Sequence, residues 1–131
     1  MNSKPLALII EDHEDQSLVF TEALDQAGYK TEAIRDGKTA QKRLTEVVPA
    51  MIILDLHMPN INGDVILGQI RSDQRLADVR VIIATADAAL ASSLHPQADL
   101  VLLKPISFVQ LHQLASRFLY HLNVPPDGPL N

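Results

Sequence analysis

Five short apolar runs, separated by segments of helical periodicity, constrain the fold of this sequence more than any other feature. The runs occupy residues 6–10, 30–34, 51–54, 79–84 and 100–103. Most of them contain three or more consecutive Ile, Leu or Val residues. Such runs are typical of strands that are covered on both faces, as in parallel sheets. The second run is weaker and alternates between apolar and polar residues. We therefore predict five strands.

The segments between and after the runs predict amphipathic helices. They cover residues 15–27, a stretch that begins at Asp36, residues 64–70, residues 88–94 and a stretch that begins at Ser107. The expected apolar stripes are Phe20, Ala23, Leu24 and Ala27 in the first helix, Ala40, Leu44 and Val47 in the second, Val65, Leu67 and Ile70 in the third, and Leu114 and Phe118 in the fifth. Gly28 predicts the end of the first helix, and Ser107 with Gln110 predicts a capping box at the start of the fifth. The fourth segment is rich in alanine and serine, so its apolar stripe is thin.

Strand and helix alternate five times, which predicts an α/β fold with a doubly wound parallel sheet and right-handed crossovers. A chain of 131 residues is the size of one compact domain. We assign residues 1–122 to this domain. The remaining segment, 123–131, has three of the eight prolines and a glycine, and we expect it to be a flexible C-terminal tail.

The charge pattern and the absence of cysteine exclude several classes of protein. The net charge is −5 without a cluster of Lys or Arg, which argues against direct nucleic-acid binding and favours protein partners. No cysteine is present, so a disulfide scaffold, thiol catalysis and cysteine-ligated metal sites are excluded. Residues 1–10 are too short an apolar stretch for a signal peptide or a membrane span. We expect a cytoplasmic protein that does not insert into membranes.

Polar side chains follow the strands where sites form in open parallel sheets, at the carboxyl ends. Glu11 and Asp12 follow the first run, Asp55 the third, Thr85 the fourth and Lys104 the fifth. Each alone is also compatible with a solvated helix start or a loop cap. Together, three carboxylates and one ammonium would place a formal charge of −2 in one small cleft, which a hard cation such as Mg²⁺ would neutralise. Asp55 would then be a carboxylate nucleophile beside a metal, with Thr85 and Lys104 able to bind a phosphoryl group.

Four motifs resemble those of one family, the receiver domains of two-component response regulators, of which the chemotaxis receiver is the familiar example. They are the acidic pair Glu11 and Asp12, "ILDLHMPNING" at 53–63, "IIATA" at 82–86 and "LLKP" at 102–105. The resemblance covers about residues 5–121. It implies a flavodoxin-like fold in which five parallel strands, in the order 2-1-3-4-5, are flanked by five helices.

The resemblance also implies roles for individual residues. Asp55 would be the phosphoacceptor, and Thr85 and Lys104 would bind the phosphoryl group. Asp12, Asp55 and the backbone carbonyl of His57 would ligate Mg²⁺, with Glu11 assisting directly or through water. His57 and Asp87 lie two positions beyond Asp55 and Thr85, where they would tune the phosphoryl lifetime, although two exposed loop side chains are an equally good interpretation. We assign no chemistry to the remaining histidines, His13, His95, His112 and His121.

The implied function is a phosphorylation-dependent signalling switch. A sensor histidine kinase or a histidine phosphotransfer protein would donate the phosphoryl group in a Mg²⁺-dependent step, and a downstream protein would bind the changed face. The protein would catalyse only its own phosphorylation and dephosphorylation. Because the chain ends soon after the fifth helix, we expect a single-domain regulator.

Two departures from the family pattern support an alternative function. Val101 stands where many receivers have an aromatic switch residue, and Lys104 follows Thr85 by 19 positions, a few fewer than usual. Both departures affect the fourth helix and the fifth strand. The alternative is a receiver-fold docking module that works without phosphorylation, and Mg²⁺ binding would separate the two hypotheses.

Overall fold

The computed structural model describes residues 4–123. Within this range the chain forms five strands and five α-helices. In chain order they are β1 (Leu6–Ile10), α1 (Glu14–Ala27), β2 (Lys30–Ile34), α2 (Gly37–Leu44), β3 (Met51–Leu54), α3 (Gly63–Ser72), β4 (Arg80–Thr85), α4 (Ala88–Leu94), β5 (Leu100–Leu103) and α5 (Phe108–Asn123). Two short 3-10 helices, Gln74–Leu76 and His95–Gln97, precede β4 and β5.

All strand pairs are parallel, and the strands lie in the order β2-β1-β3-β4-β5. The predicted fold class and strand order are therefore confirmed. Ile10 pairs with Ile34 on one side and with Leu54 on the other. Because these partners are the last residues of their strands, the polar residues that come next emerge at one edge of the sheet.

The apolar runs of the three inner strands β1, β3 and β4 are largely buried because helices cover both faces of the sheet. Leu8 and Ile10 point into one core, against α2, α3 and α4, and Ala7 and Ile9 point into the other, against α1 and α5. Tyr29 joins α1 and α5, since its hydroxyl donates a 2.9 Å hydrogen bond to the Ala115 carbonyl. Burial raises the pKa of Tyr29 to about 12.

The helix boundaries follow most of the expected signals. Gly28 ends α1 with a φ of 113°, a left-handed conformation that glycine adopts readily. The Asp36 carboxylate caps α2 by accepting a hydrogen bond from the Thr39 N–H at 2.9 Å. The Ser107 hydroxyl likewise accepts from the Gln110 N–H at 3.0 Å at the start of α5.

Some boundaries and faces differ from the sequence prediction. The sequence pattern places Val65 in the core, but its side chain is exposed, and Ile66 is buried instead. The reason is rotational phase, because α3 begins at Gly63 and buries the face that contains Gly63, Ile66, Leu67 and Ile70. Val47 packs against the core from beyond the end of α2. The fourth strand is shifted by one residue, so Thr85 is its last residue.

The apolar face of the fourth helix is as small as the sequence predicts. Of the seven described residues of α4, Ala91 alone is buried. A groove of about 310 Å³ lies between α4 and β5, and it is lined by Ala88, Ala91, Ser92, His95, Val101 and Leu103. The small side chains of α4 and the valine at 101 leave this volume open.

At the C-terminus, α5 includes Asn123. The rest of the tail expected over 123–131 lies outside the described residues. No helix within residues 4–123 is long and apolar enough to cross a lipid bilayer.

Candidate functional site

The sheet brings the predicted acidic residues together. Glu11, Asp12 and Asp55, joined by His13, each offer a ligand atom within 4.8 Å of the others. Backbone hydrogen bonds fix this edge, since the Asp55 N–H donates to the Ile10 carbonyl at 2.9 Å. The carboxylates therefore converge because β1 and β3 are neighbours that end in register.

Glu11 is fully buried, and both of its carboxylate oxygens are engaged. Its Oε1 accepts a hydrogen bond from Lys104 Nζ at 2.8 Å, and its Oε2 accepts from the His13 N–H at 3.2 Å. The side chains of Glu11 and Lys104 are only 1% and 12% exposed. In this state the ammonium of Lys104 is held mainly by Glu11.

Asp55 is buried, and its neighbours have opposite effects on the pKa of its carboxyl group. Lys104 Nζ lies 3.7 Å from its Oδ1, and the His57 N–H donates to the same oxygen at 3.3 Å. Burial and then the negative charge of Glu11 raise the pKa of Asp55 to about 6, although Lys104 and the His57 N–H act in the opposite direction. The carboxylate is thus electrostatically destabilised before any cation binds.

Asp12 supplies the observation that bears on a metal. Its Oδ1 is buried and has no hydrogen-bond partner within residues 4–123. The nearest ring nitrogen, His13 Nδ1, is 3.4 Å away and does not meet hydrogen-bond geometry. A buried carboxylate oxygen without a partner is costly, and a cation would satisfy it. The cluster could therefore hold a metal ion, and its oxygen-rich donor set suits a hard divalent cation.

Thr85 and Lys104 are neighbours at the ends of β4 and β5. The Lys104 N–H donates to the Thr85 carbonyl at 2.9 Å, and Thr85 is fully buried. The Thr85 hydroxyl accepts a hydrogen bond from the Asp87 N–H at 3.1 Å. All five side chains that the sequence singled out at the strand ends thus lie at one edge of the sheet.

His57 and Asp87 form a pair rather than two separate loop side chains. His57 Nε2 lies 2.7 Å from Asp87 Oδ2, which joins the loop after β3 to the loop after β4. Asp87 also caps α4 through a 2.9 Å hydrogen bond from the Leu90 N–H. The Leu90 N–H and then His57 lower the pKa of Asp87.

Gly63 packs directly on the backbone of the candidate phosphoacceptor. Its N–H donates to the Leu56 carbonyl at 2.9 Å. A Cβ at this position would overlap the Asp55 carbonyl oxygen and would lie 2.7 Å from Leu56 Cα. The last residue of the "ILDLHMPNING" motif is a glycine because α3 begins in contact with Asp55 and Leu56.

Sequence reasoning misses two residues of this edge. It assigns no chemistry to His13, yet His13 Nδ1 is 3.2 Å from Glu11 Oε2. The Arg35 guanidinium donates to the Asp12 carbonyl at 3.0 and 2.9 Å. Arg35 follows the last residue of β2 directly, so the rule that selects the other strand ends could have found it.

The comparison with known families agrees with this geometry. A family model described as the response regulator receiver domain matches residues 7–116. The chain belongs to this family. The expected resemblance is thereby confirmed over most of the sequence.

Individual relatives show how far the similarity extends. The chain is 31% identical to the probable methanogenesis regulatory protein FilR2 of Methanothrix harundinacea, over 81% of this chain and 76% of that protein. It is 34% identical to the DNA-binding dual master transcriptional regulator RpaA of Synechocystis, over 63% of this chain and only 34% of RpaA. It thus spans about a third of RpaA.

Among solved structures, the signal receiver domain of a signal transduction histidine kinase from Syntrophus aciditrophicus is 29% identical. It superposes with a TM-score of 0.80, over 96% of this chain and 98% of that domain. Receiver domains thus occur both in response regulators and within histidine kinases, and this chain has their fold.

Proposed function

We propose that this protein is a phosphorylation-dependent signalling switch of a two-component system and that it accepts a phosphoryl group on Asp55. One observation carries the proposal. A buried, electrostatically destabilised carboxylate, Asp55, lies beside a carboxylate oxygen of Asp12 that lacks a hydrogen-bond partner among residues 4–123. It also lies within 3.7 Å of the Lys104 ammonium. One cleft thus contains a nucleophile, Asp55, a carboxylate of Asp12 that could hold a metal ion, and the ammonium of Lys104, which could bind phosphate. The donor would be a sensor histidine kinase or a histidine phosphotransfer protein.

The proposed metal is Mg²⁺, bound by Asp12, Asp55 and the backbone carbonyl of His57. Glu11 would assist through water, because Lys104 and the His13 N–H engage its two oxygens. When bound, the cation would withdraw charge from the phosphoryl oxygens and orient them. The residues fit it because Asp12 and Asp55 are close and acidic, with Asp55 buried and Asp12 partly buried.

In the transfer step, an Asp55 carboxylate oxygen would attack the phosphorus of a phosphohistidine. The bond between phosphorus and the imidazole nitrogen breaks, the nitrogen keeps the electron pair, and Asp55 becomes an acyl phosphate. A pKa of about 6 leaves Asp55 mostly ionised at neutral pH and therefore competent as a nucleophile. Lys104 and the Thr85 hydroxyl would donate hydrogen bonds to the phosphoryl oxygens.

In a separate dephosphorylation step, water would attack the phosphorus, the bond between phosphorus and the Asp55 oxygen breaks with its electron pair left on that oxygen, and inorganic phosphate and the Asp55 carboxylate are released. His57 and Asp87 would tune this lifetime, because their pair spans the loops after β3 and β4. By this proposal the protein catalyses only its own phosphorylation and dephosphorylation. Alanine at either position with an unchanged lifetime would remove these two residues from the chemistry.

The phosphoryl group would carry a charge of about −1.5 to −2 at neutral pH in place of the single negative charge of the Asp55 carboxylate, and a downstream protein would bind the changed face. We propose that the partners are proteins in the cytoplasm and that neither nucleic acid nor a membrane is contacted directly. A second function, docking without phosphorylation, is favoured by the open groove between α4 and β5. A docking module has no use for Mg²⁺, so tight Mg²⁺ binding would count against it.

The test is intact-mass analysis after incubation with a small phosphodonor and Mg²⁺. We expect the gain of one phosphoryl group by the native chain, and none by Asp55→Asn or after chelation of the metal. Asp78→Asn, which changes an exposed acid near the start of β3, at the edge of the sheet opposite Asp55, is the matched control and should behave as the native chain does. If no gain occurs, even with a histidine kinase as donor, the docking module becomes the better account.

A further inference from the structure

We propose that the His57–Asp87 pair transmits phosphorylation of Asp55 to helix α4, the task for which many receivers use an aromatic ring at the position of Val101. The inference rests on the proposed function, since it concerns the response of the fold once Asp55 is modified. It is carried by an unbroken series of contacts from the candidate phosphoacceptor to the first turn of α4.

On the pocket side, the series begins at Asp55. The backbone N–H of His57 donates to Asp55 Oδ1 at 3.3 Å, so a change at this carboxylate acts directly on His57. The imidazole of the same residue is 2.7 Å from Asp87 Oδ2. A second path runs through Thr85, whose hydroxyl accepts from the Asp87 N–H at 3.1 Å.

On the helix side, Asp87 holds the first turn of α4. Its Oδ1 accepts from the Leu90 N–H at 2.9 Å, and its carbonyl accepts from the Ala91 N–H at 3.0 Å. Apart from this cap, the helix is held by Ala91, its single buried residue among the seven described, and by Leu90 and Leu94, which are partly buried against the core. A short helix with a small apolar face depends strongly on its cap.

Phosphorylation would compete with both paths to Asp87. The new phosphoryl oxygens are acceptors for the Thr85 hydroxyl and for the imidazole N–H, and their charge repels the Asp87 carboxylate. A His57 imidazole that turns to the phosphoryl group loses its contact with Asp87. A Thr85 side chain that moves toward the phosphoryl oxygens to donate its O–H draws its hydroxyl oxygen away from the Asp87 N–H. Release of Asp87 removes the cap of α4, so its first turn opens without any movement at residue 101.

Val101 does not provide an alternative path. Its aliphatic side chain lines the groove beside Ala88 and Ala91. It has no polar group that could hydrogen-bond to the Thr85 hydroxyl and respond when that hydroxyl moves. Asp87, in contrast, contacts Thr85, His57 and α4 at the same time. The structure therefore assigns the link to polar contacts rather than to a rotating ring.

Amide hydrogen exchange of residues 88–94 in the full chain tests the link, with and without a small phosphodonor and Mg²⁺. The phosphorylated fraction is read from the intact mass of each sample, and exchange is compared at equal fractions. In the native chain we expect the Leu90 and Ala91 amides to exchange about fivefold faster after phosphorylation, the factor that loss of an average helix cap produces. In His57→Ala this difference should fall to less than half.

Three variants sharpen the test. His57→Gln, whose amide N–H can still donate to Asp87, should restore part of the response. His95→Ala, which changes an exposed histidine just after α4, is the matched control and should respond as the native chain does. Asp87→Ala removes the cap, so α4 should exchange fast with or without the phosphodonor.

The outcomes separate this inference from the proposed function. If the native chain gains no phosphoryl group, both fail. If it is phosphorylated but α4 does not respond, or if His57→Ala responds fully, only the His57–Asp87 link is wrong. A restored response in His57→Gln together with a lost one in His57→Ala supports the link.

Discussion

The edge of the sheet around Asp55 and the face formed by α4 and β5 are built on different principles. At the edge, buried charged groups contact one another directly, as in the 2.8 Å contact between Lys104 and Glu11. On the face, α4 has no charged residue, and three of the six residues that line the groove beside β5 are alanine or serine. The edge can carry out chemistry only if these side chains are present and the strands keep this register. The face formed by α4 and β5 requires only that its side chains pack.

The difference teaches that the chemistry and its readout can change separately. Strand register fixes the position of each charged group, so the loss of Glu11, Asp55 or Lys104 would unbalance the whole cluster. A shorter α4 and a valine at 101 leave that register untouched. A receiver can therefore keep its phosphoryl pocket while the face that a partner would bind takes another form.

The largest effect should come from adding a methyl group beside the pocket. In Gly63→Ala the new Cβ would overlap the Asp55 carbonyl and crowd Leu56, so we expect a loss of about 3 kcal/mol of unfolding free energy. Gly68→Ala, in the same helix with nothing within 4 Å of the added Cβ, should instead stabilise the protein by up to about 1 kcal/mol. Urea denaturation of both variants measures the two changes in the free energy of unfolding. Equal changes would show that α3 does not hold the Asp55 backbone in place.

The second-largest effect should be a stabilisation, because the buried charge of Asp55 lowers the free energy of unfolding. The raised pKa of Asp55 means that the folded state binds its proton more tightly than the unfolded state, whose value is near 3.8. The contribution of Asp55 to the free energy of unfolding therefore falls as pH rises from about 4 through about 6. At pH 7 without metal, Asp55→Asn should stabilise the protein by about 2 kcal/mol.

Thermal unfolding with a chelator at several pH values measures this effect. The gain of Asp55→Asn over the native chain should shrink towards zero near pH 4, where the native carboxyl is increasingly protonated in both states. Asp78→Asn, at an exposed acid, should show neither the gain nor its pH dependence. A gain that is constant with pH would mean that the charge of Asp55 is not its cause.

A smaller effect is expected where the two regions meet. Asp87→Ala should lower the unfolding free energy by about 1 kcal/mol, because the Leu90 N–H loses its capping carboxylate. Asp87→Asn retains a capping oxygen and should lose less. Denaturation curves of the two variants decide this, and an equal loss would show that the contact with His57, not the cap, contributes most.

The smallest effect should come from the face itself. Val101→Phe places a ring in a groove of about 310 Å³, and we expect stabilisation of up to about 1 kcal/mol through added apolar burial. Val109→Phe, at an exposed valine of α5, should change stability by less than about 0.5 kcal/mol. Calorimetry of both variants gives the comparison, and marked destabilisation by Val101→Phe would mean that the groove cannot take a ring.

Most of the fold could be predicted from the sequence because strands buried on both faces must be apolar throughout. The runs at 6–10 and 51–54 match β1 and β3 residue for residue, and the strand ends identify the residues that converge. The third helix is predicted less well, since Val65 and Ile66 are both apolar and only the point at which α3 begins decides which of them is buried.

Contacts between loops could not be predicted, because no periodicity records them. The 2.7 Å approach of His57 to Asp87 joins residues that are 30 positions apart. The position of His13 beside Glu11 depends on how the chain turns into α1. Such contacts depend on the fold and not on the residue types alone. They are features of this receiver that its sequence motifs do not reveal.

The most direct test of the central claim is chemical mapping of the phosphoryl group. An acyl phosphate is reduced by borohydride to an alcohol, which would convert a phosphorylated Asp55 into homoserine that peptide mass spectrometry can locate. We predict homoserine at position 55 only in samples that received both phosphodonor and Mg²⁺. An unmodified Asp55 in protein that has gained phosphoryl mass, or reduction at Asp12 instead, would contradict the account.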